Sequence, residues 1–113
     1  MLRTVADTNV YISALNFGGA ADEVLALGRR NAVAIYISPP ILKEIEGVLV
    51  RKFNWSAASA REACTAIRAF TRSVRPQEKL DVIKEDEPDN RILECAVEAN
   101  ARVIVSGIGI SES

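Results

Sequence analysis

The sequence Val5-Ala6-Asp7-Thr8-Asn9-Val10 closes the first apolar run of the chain, and residues 2–6 of that run read as a buried strand. In open α/β sheets, ligand sites lie at the carboxyl ends of the strands. A carboxylate in that position costs free energy unless it is paired, hydrogen-bonded or bound to a metal. Asp7 therefore raises the question of which other side chains meet it at the end of the strand.

Apolar periodicity along the rest of the chain alternates between helical and strand spacing. Gly18-Gly19 interrupts the chain, and Ser38 and Ser56 are candidate N-caps of helices. This alternation predicts an α/β fold with three layers, in which helices cover both faces of a central, mainly parallel sheet. We find no repeat or linker and expect one domain over residues 1–113. The predicted helices cover residues 20–30, residues 38–53, a segment from Ser56 to a stop at Pro76, and a segment around 92–97. Further strands are predicted at residues 34–37, 80–83 and 102–105. Residues 84–90 read as a charged turn.

Composition excludes several classes of function. The chain has 113 residues, a formal net charge of −1 and no histidine. Catalysis by Ser-His-Asp or Cys-His groups is therefore excluded, as is a histidine-ligated zinc site. Any metal must be held by oxygen ligands, which suit Mg²⁺, Mn²⁺ or Ca²⁺. No apolar stretch approaches the roughly 20 residues of a membrane helix, and the two separated cysteines indicate a reduced, cytoplasmic setting.

Three acidic residues have distinctive positions, although each also has an ordinary interpretation. Asp7 ends a strand but is also suited to an Asx-turn. Glu44 lies at the edge of an apolar helix face, where a solvated helix residue is the ordinary interpretation of a glutamate taken alone. Asp89 lies in the first turn of a predicted helix, where it and Asp86 compete for a capping role. Their value lies in the prediction that they meet at the carboxyl edge of one sheet.

In their order along the chain, four segments resemble the PIN domain, and most closely the toxin–antitoxin branch related to the VapC toxins. The segments are Asp7-Thr8-Asn9-Val10 after a strand, Ser38 followed by Glu44, Asp86-Glu87-Pro88-Asp89-Asn90, and Ala101-Arg102-Val103-Ile104-Val105-Ser106-Gly107. The resemblance implies a Mg²⁺- or Mn²⁺-dependent ribonuclease with an RNA substrate and an antitoxin partner. It implies that Asp7, Glu44 and Asp89 hold the metal and act in catalysis. Supporting pocket residues would be Thr8, Asn9, Ser38, Asn90 and Ser106.

The chain departs from the family pattern after Gly107. Ile108 stands where the family has its fourth acidic residue, and the family's last strand is missing. With three carboxylates, affinity for Mg²⁺ should fall, because this ion gives up its water reluctantly. The strand at residues 103–105 should lie at a sheet edge, and an exposed apolar edge invites pairing with another chain. We therefore expect a homo-oligomer, formed by edge pairing or by a helical surface.

Three other classes compete with this interpretation. A dehalogenase-like phosphatase needs a second carboxylate two residues after the first, and Asn9 occupies that position. A response-regulator receiver needs an acidic pair and a late lysine, and both are absent from the expected places. The serious alternative is a catalytically inactive PIN-like domain that binds an antitoxin or another copy of itself.

Overall fold

The computed structural model describes residues 1–76 and 87–106, with the backbone alone at residues 87–89. Within these residues, four strands alternate with five helices. The prediction of an α/β fold is confirmed. In chain order the elements are β1 (Arg3–Ala6), α1 (Thr8–Phe17), α2 (Gly19–Arg29), β2 (Ala34–Ile37), α3 (Pro39–Phe53), α4 (Ala57–Phe70), β3 (Arg72–Ser73), α5 (Glu87–Ala99) and β4 (Val103–Val105).

The four described strands form one parallel sheet in the order β3-β2-β1-β4. Strand β1 lies in the interior of the sheet, with Val5 aligned to Tyr36 of β2 and Ala6 aligned to Val105 of β4. Because all strands run the same way, the residues that follow them gather at one edge. Strand β4 is an outer strand of the described sheet, as expected, and Val103 and Ile104 are 39% and 42% exposed.

Helices cover both faces of the sheet. Gly28 of α2 lies so close to Ile35 that an added Cβ would be 2.5 Å from the Ile35 Cδ1 atom. On the other face, the Arg3 guanidinium donates a 3.1 Å hydrogen bond to the Ala99 carbonyl at the end of α5. Ile35 aligns with Thr4, the residue after Arg3. Because successive side chains in a strand point to opposite faces, the Arg3 and Ile35 side chains lie on opposite faces of the sheet. The sheet is therefore the middle of three layers.

Local chemistry explains where the helices around the sheet begin and end. Helix α1 begins at Asp7, whose carboxylate accepts a hydrogen bond from the Val10 amide, and it ends at Gly18. Gly18 and Gly19 have φ angles of 70° and 65°, a region that glycine enters without strain. Helix α3 begins with two prolines in its first turn, which tolerates the missing amide donors.

Three sequence predictions differ from the structure. Residues 8–17 form α1, for which no helix was predicted. The helix that begins at Ser56 ends at Phe70, not at Pro76, because Arg72 and Ser73 leave helical geometry to pair with β2. The predicted strand at residues 80–83, the first three residues of the predicted turn at 84–90, and Ile108 lie outside the described residues. Residues 87–90 of that turn already belong to α5.

No helix in the described ranges is both long and apolar enough to cross a membrane.

Candidate active site at the carboxyl ends of the strands

Three polar residues directly follow neighbouring strands. Asp7 follows β1, Ser38 follows β2 and Ser106 follows β4. The register of Val5 with Tyr36, continued by two residues, sets Asp7 beside Ser38. The Asp7 amide donates a 2.9 Å hydrogen bond to the Val105 carbonyl, which fixes Asp7 next to the end of β4. The sheet thus brings these three predicted residues to one edge.

Asp7 has two roles in the structure. Its Oδ1 atom accepts a 3.1 Å hydrogen bond from the Val10 amide and so caps α1. Burial nevertheless raises the pKa of Asp7 above its usual value, although hydrogen bonds from the Val10 and Asn9 amides lower it in part. The capping role expected of an Asx-type residue is therefore real, yet the carboxylate remains in a setting that disfavours its charge.

Helix α5 points its first turn toward the same edge of the sheet. Its last residue, Ala99, accepts a hydrogen bond from the Arg3 guanidinium at the start of β1. Three residues beyond the helix, the Arg102 amide donates to the Arg3 carbonyl. The opposite end of α5 must then lie beyond the carboxyl ends of the strands. The backbone of Asp89 lies in this first turn, and the neighbouring Asn90 is buried.

Cys95 fixes the level of α5 relative to the site. Its thiol is fully buried beside Ser38, and burial raises the pKa of Cys95 to about 12, with partial compensation by the Ser38 hydroxyl. Asp89 precedes Cys95 by six residues, which is about 9 Å along a helix. The backbone of Asp89 is therefore placed outward from Ser38, past the strand ends.

Glu44 occupies a different position from Asp7 and Ser38. It lies within α3, six residues after Ser38, and its side chain is half-buried next to the buried Ile41 and Ile45. This agrees with the predicted place at the edge of the apolar face. Within the described residues, no three acidic or cysteine side chains come close enough together to hold a metal ion.

The remaining predicted support residues differ in exposure. Thr8 is half-buried, whereas Asn9 and Ser106 are exposed and Ser38 is fully buried. The Ser38 hydroxyl caps no amide of α3, unlike the Ser56 hydroxyl, which accepts from Ser59 at the start of α4. Ser38 is thus free of the capping role that its position suggested.

Two buried polar side chains were not predicted from the sequence. Glu94 is a buried carboxylate in α5 and pairs with Arg91 at 2.8 Å. Their spacing of three residues on one helix was a readable signal for this pair. Tyr11 is completely buried one turn after Asp7, and its hydroxyl has no hydrogen-bond partner in the described part of the chain.

The oxygen atoms at this edge fit a hard divalent cation. The Asp7 carboxylate is held in a partly desolvated place, and the buried hydroxyls of Tyr11 and Ser38 lack partners among the described residues. Carboxylates and neutral oxygens are the ligands that Mg²⁺ and Mn²⁺ prefer. A cation would offset the unfavourable charge of a desolvated carboxylate.

Three comparisons with known proteins each cover nearly the whole chain. The model of a family described as PIN domain matches residues 3–107. The chain is 32% identical over 111 residues to "Uncharacterized protein MJ1680" of Methanocaldococcus jannaschii, an alignment that covers 94% of this chain and 70% of that protein. A chain in the crystal structure of VapBC2 from Rickettsia felis bound to a DNA fragment from their promoter has the same fold. The two structures superimpose with a TM-score of 0.68 and 18% sequence identity, and the match covers 96% of this chain and 90% of that one.

Proposed function

Since this chain belongs to the PIN domain family, we propose that it is a divalent-metal-dependent ribonuclease and the toxin component of a toxin–antitoxin module. The observation that carries the proposal is the position of Asp7, a partly desolvated carboxylate at the carboxyl end of an interior strand. In this proposal residues 1–113 form one PIN-like domain that works in the cytoplasm.

Asp7, Glu44 and Asp89 would hold Mg²⁺ or Mn²⁺ in this proposal. Asp7 is supported by its desolvated carboxylate, and Asp89 by the orientation of α5 toward the strand ends. Glu44 is supported by its half-buried place on α3. When bound, a divalent cation supplies activation of a water and stabilisation of charge on a scissile phosphate. The polar residues Thr8, Asn9, Ser38, Asn90 and Ser106 would support the carboxylates.

A groove between α3 and α4 suggests where an RNA strand could lie. The groove has a volume of about 340 Å³ and begins at Pro39, the residue after Ser38. Its walls carry the cations Lys43, Arg61 and Arg68 against a single carboxylate, Glu46. A surplus of positive charge next to the candidate site favours an anionic backbone, which contacts to lysine and arginine hold without reading sequence.

The partner and the oligomeric state are part of the same proposal. The fold likeness to a chain of VapBC2, together with the resemblance of the sequence to VapC toxins, supports an antitoxin as the protein partner. A second copy of the chain is supported by the outer position of β4 and the exposure of Val103 and Ile104.

Cleavage of single-stranded RNA by the pure protein in the presence of Mn²⁺ tests the activity. The Asp7→Asn variant is the control, because it keeps an acceptor for the Val10 amide and loses the charge. Cleavage by the native protein with none by the variant supports the proposal. Cleavage that survives in the variant indicates a contaminating nuclease. No cleavage at any Mn²⁺ concentration favours the alternative, a PIN-like domain that binds partners without cutting RNA.

A further inference from the structure

The Tyr11 side chain is the most unusual polar group in the described core. It is 0% exposed on α1, and its hydroxyl has no hydrogen-bond partner within the described residues. A buried hydroxyl without a partner costs roughly 1–3 kcal/mol. A phenylalanine would fill the same space without that cost. The hydroxyl therefore points to a partner that binds in the functional state.

Helix geometry directs Tyr11 toward Asp7. The two residues are four positions apart, so they lie on the same side of α1, one turn from each other. Long side chains in helices lean toward the amino end, which is the end capped by Asp7. The charge of Asp7 is among the causes that raise the pKa of Tyr11, after burial and the neighbouring Cys95. The hydroxyl and the carboxylate therefore share one region.

Ser38 provides a second buried hydroxyl in that region. It is 0% exposed, and its Oγ atom likewise lacks a hydrogen-bond partner in the described ranges. The strand register sets Ser38 beside Asp7, the Ser38 hydroxyl lies beside the Cys95 thiol, and Cys95 and Tyr11 belong to the same buried core. Two buried hydroxyls thus share one region with a carboxylate that has room for further hydrogen bonds, since a carboxylate can accept about four.

We propose that Tyr11 is a positioning residue for Asp7. Its hydroxyl, assisted by that of Ser38, hydrogen-bonds the Asp7 carboxylate directly or through one water and orients it toward a bound divalent cation. This inference rests on the proposed metal-dependent function. A donor behind a ligating carboxylate sets its orientation, and loss of such a group lowers metal affinity by about 10–100-fold.

The test compares Tyr11→Phe with the same substitution at Tyr36. Tyr36 is half-buried on β2, and its ring contacts Arg3 and Arg72, contacts that phenylalanine retains. Mn²⁺ binding is measured without RNA, from the electron paramagnetic resonance signal of free Mn²⁺. We expect Tyr11→Phe to weaken Mn²⁺ binding by about 10-fold or more, and Tyr36→Phe to leave it unchanged.

A thermal melt in chelator separates positioning from simple packing. Without metal, Tyr11→Phe should melt at the same temperature as the native protein or higher, because the variant removes a hydroxyl without a partner. Equal Mn²⁺ affinity in Tyr11→Phe and the native protein would overturn the inference about Tyr11 and leave the proposed metal dependence standing. A clear loss of stability in chelator would also overturn it, by showing that the hydroxyl has a structural partner. Absence of Mn²⁺ binding in the native protein would overturn the proposed metal dependence and this inference with it.

Discussion

Substitution of Asp7 should change stability in opposite directions with and without metal. In chelator, Asp7→Asn should be more stable than the native protein at neutral pH. The physical reason is that burial raises the pKa of Asp7 from the 3.8 of an unperturbed aspartate, so the folded state disfavours the charged form. The stability advantage of the variant should vanish below about pH 3.8, where the carboxyl is neutral in both states, and should open as the pH rises above it.

The capping bond can be measured separately with Asp7→Ala. Asparagine caps a helix about as well as aspartate, whereas alanine removes the acceptor of the 3.1 Å bond from the Val10 amide. Asp7→Ala should therefore be less stable than Asp7→Asn by about 1 kcal/mol. In a chain of this size, that difference is about 4 °C in melting temperature.

Addition of Mn²⁺ should reverse the order of the native protein and Asp7→Asn. At a metal concentration 100 times the Kd, a ligand stabilises the folded state by about 2.7 kcal/mol. The native protein should gain this amount and the variant much less. Asp22→Asn is the matched control, because Asp22 is a surface carboxylate that pairs with Arg29. If Asp7→Asn is less stable than the native protein in chelator, or gains as much from Mn²⁺, the reasoning about Asp7 is refuted.

Three further predictions concern the fold and the assembly. Gly28→Ala should destabilise the protein by about 1–3 kcal/mol, because its methyl would press on a buried isoleucine of β2. Gly47→Ala should stabilise the protein by up to about 1 kcal/mol, because its methyl meets only the flexible end of an arginine side chain. Denaturant melts measure both variants, and equal changes in stability would contradict the packing argument. In chelator, Ser56→Ala should lower the stability by about 1 kcal/mol and Ser38→Ala should leave it unchanged, since only the Ser56 hydroxyl caps a helix. Equal losses of stability would show that the Ser38 hydroxyl has a structural partner. Ile104→Lys should shift the chain from oligomer to monomer in size-exclusion chromatography with light scattering, and a native protein that is already monomeric at tens of micromolar would rule out self-association through β4.

Local sequence patterns predicted most of the strands. They did not predict the limits of elements that depend on contacts between residues distant in the sequence. The strand at 34–37 was predicted with its observed limits, because a β-branched run between turn residues is a local signal. The end of α4 at Phe70 could not be read locally, since it depends on the pairing of β3 with Tyr36 and Ile37. Helix α1 was missed because its buried residues, Val10 to Ile12, are consecutive and show no helical spacing.

The candidate site was predictable in its position and less so in its contacts. The predicted parallel sheet and its strand ends indicated one edge for the polar residues, whereas the order that makes Asp7, Ser38 and Ser106 neighbours came from the structure. The roles of Tyr11 and Glu94 depend on burial, which composition does not reveal for a tyrosine in a short apolar run or a glutamate between apolar neighbours. The convergence of the Asp7, Glu44 and Asp89 side chains remains a prediction.

The pairing of β1 with β4 joins Thr4 to Val103, nearly the full length of the described chain apart. Closure of so long a loop makes this a late step in folding, because non-local contacts form slowly. During synthesis at the ribosome, Asp7 emerges early, but its neighbours on α5 and β4 are the last described segments to be made. The residues that meet at this edge of the sheet are therefore brought together only after α5 and β4 have been made, however early Asp7 itself leaves the ribosome.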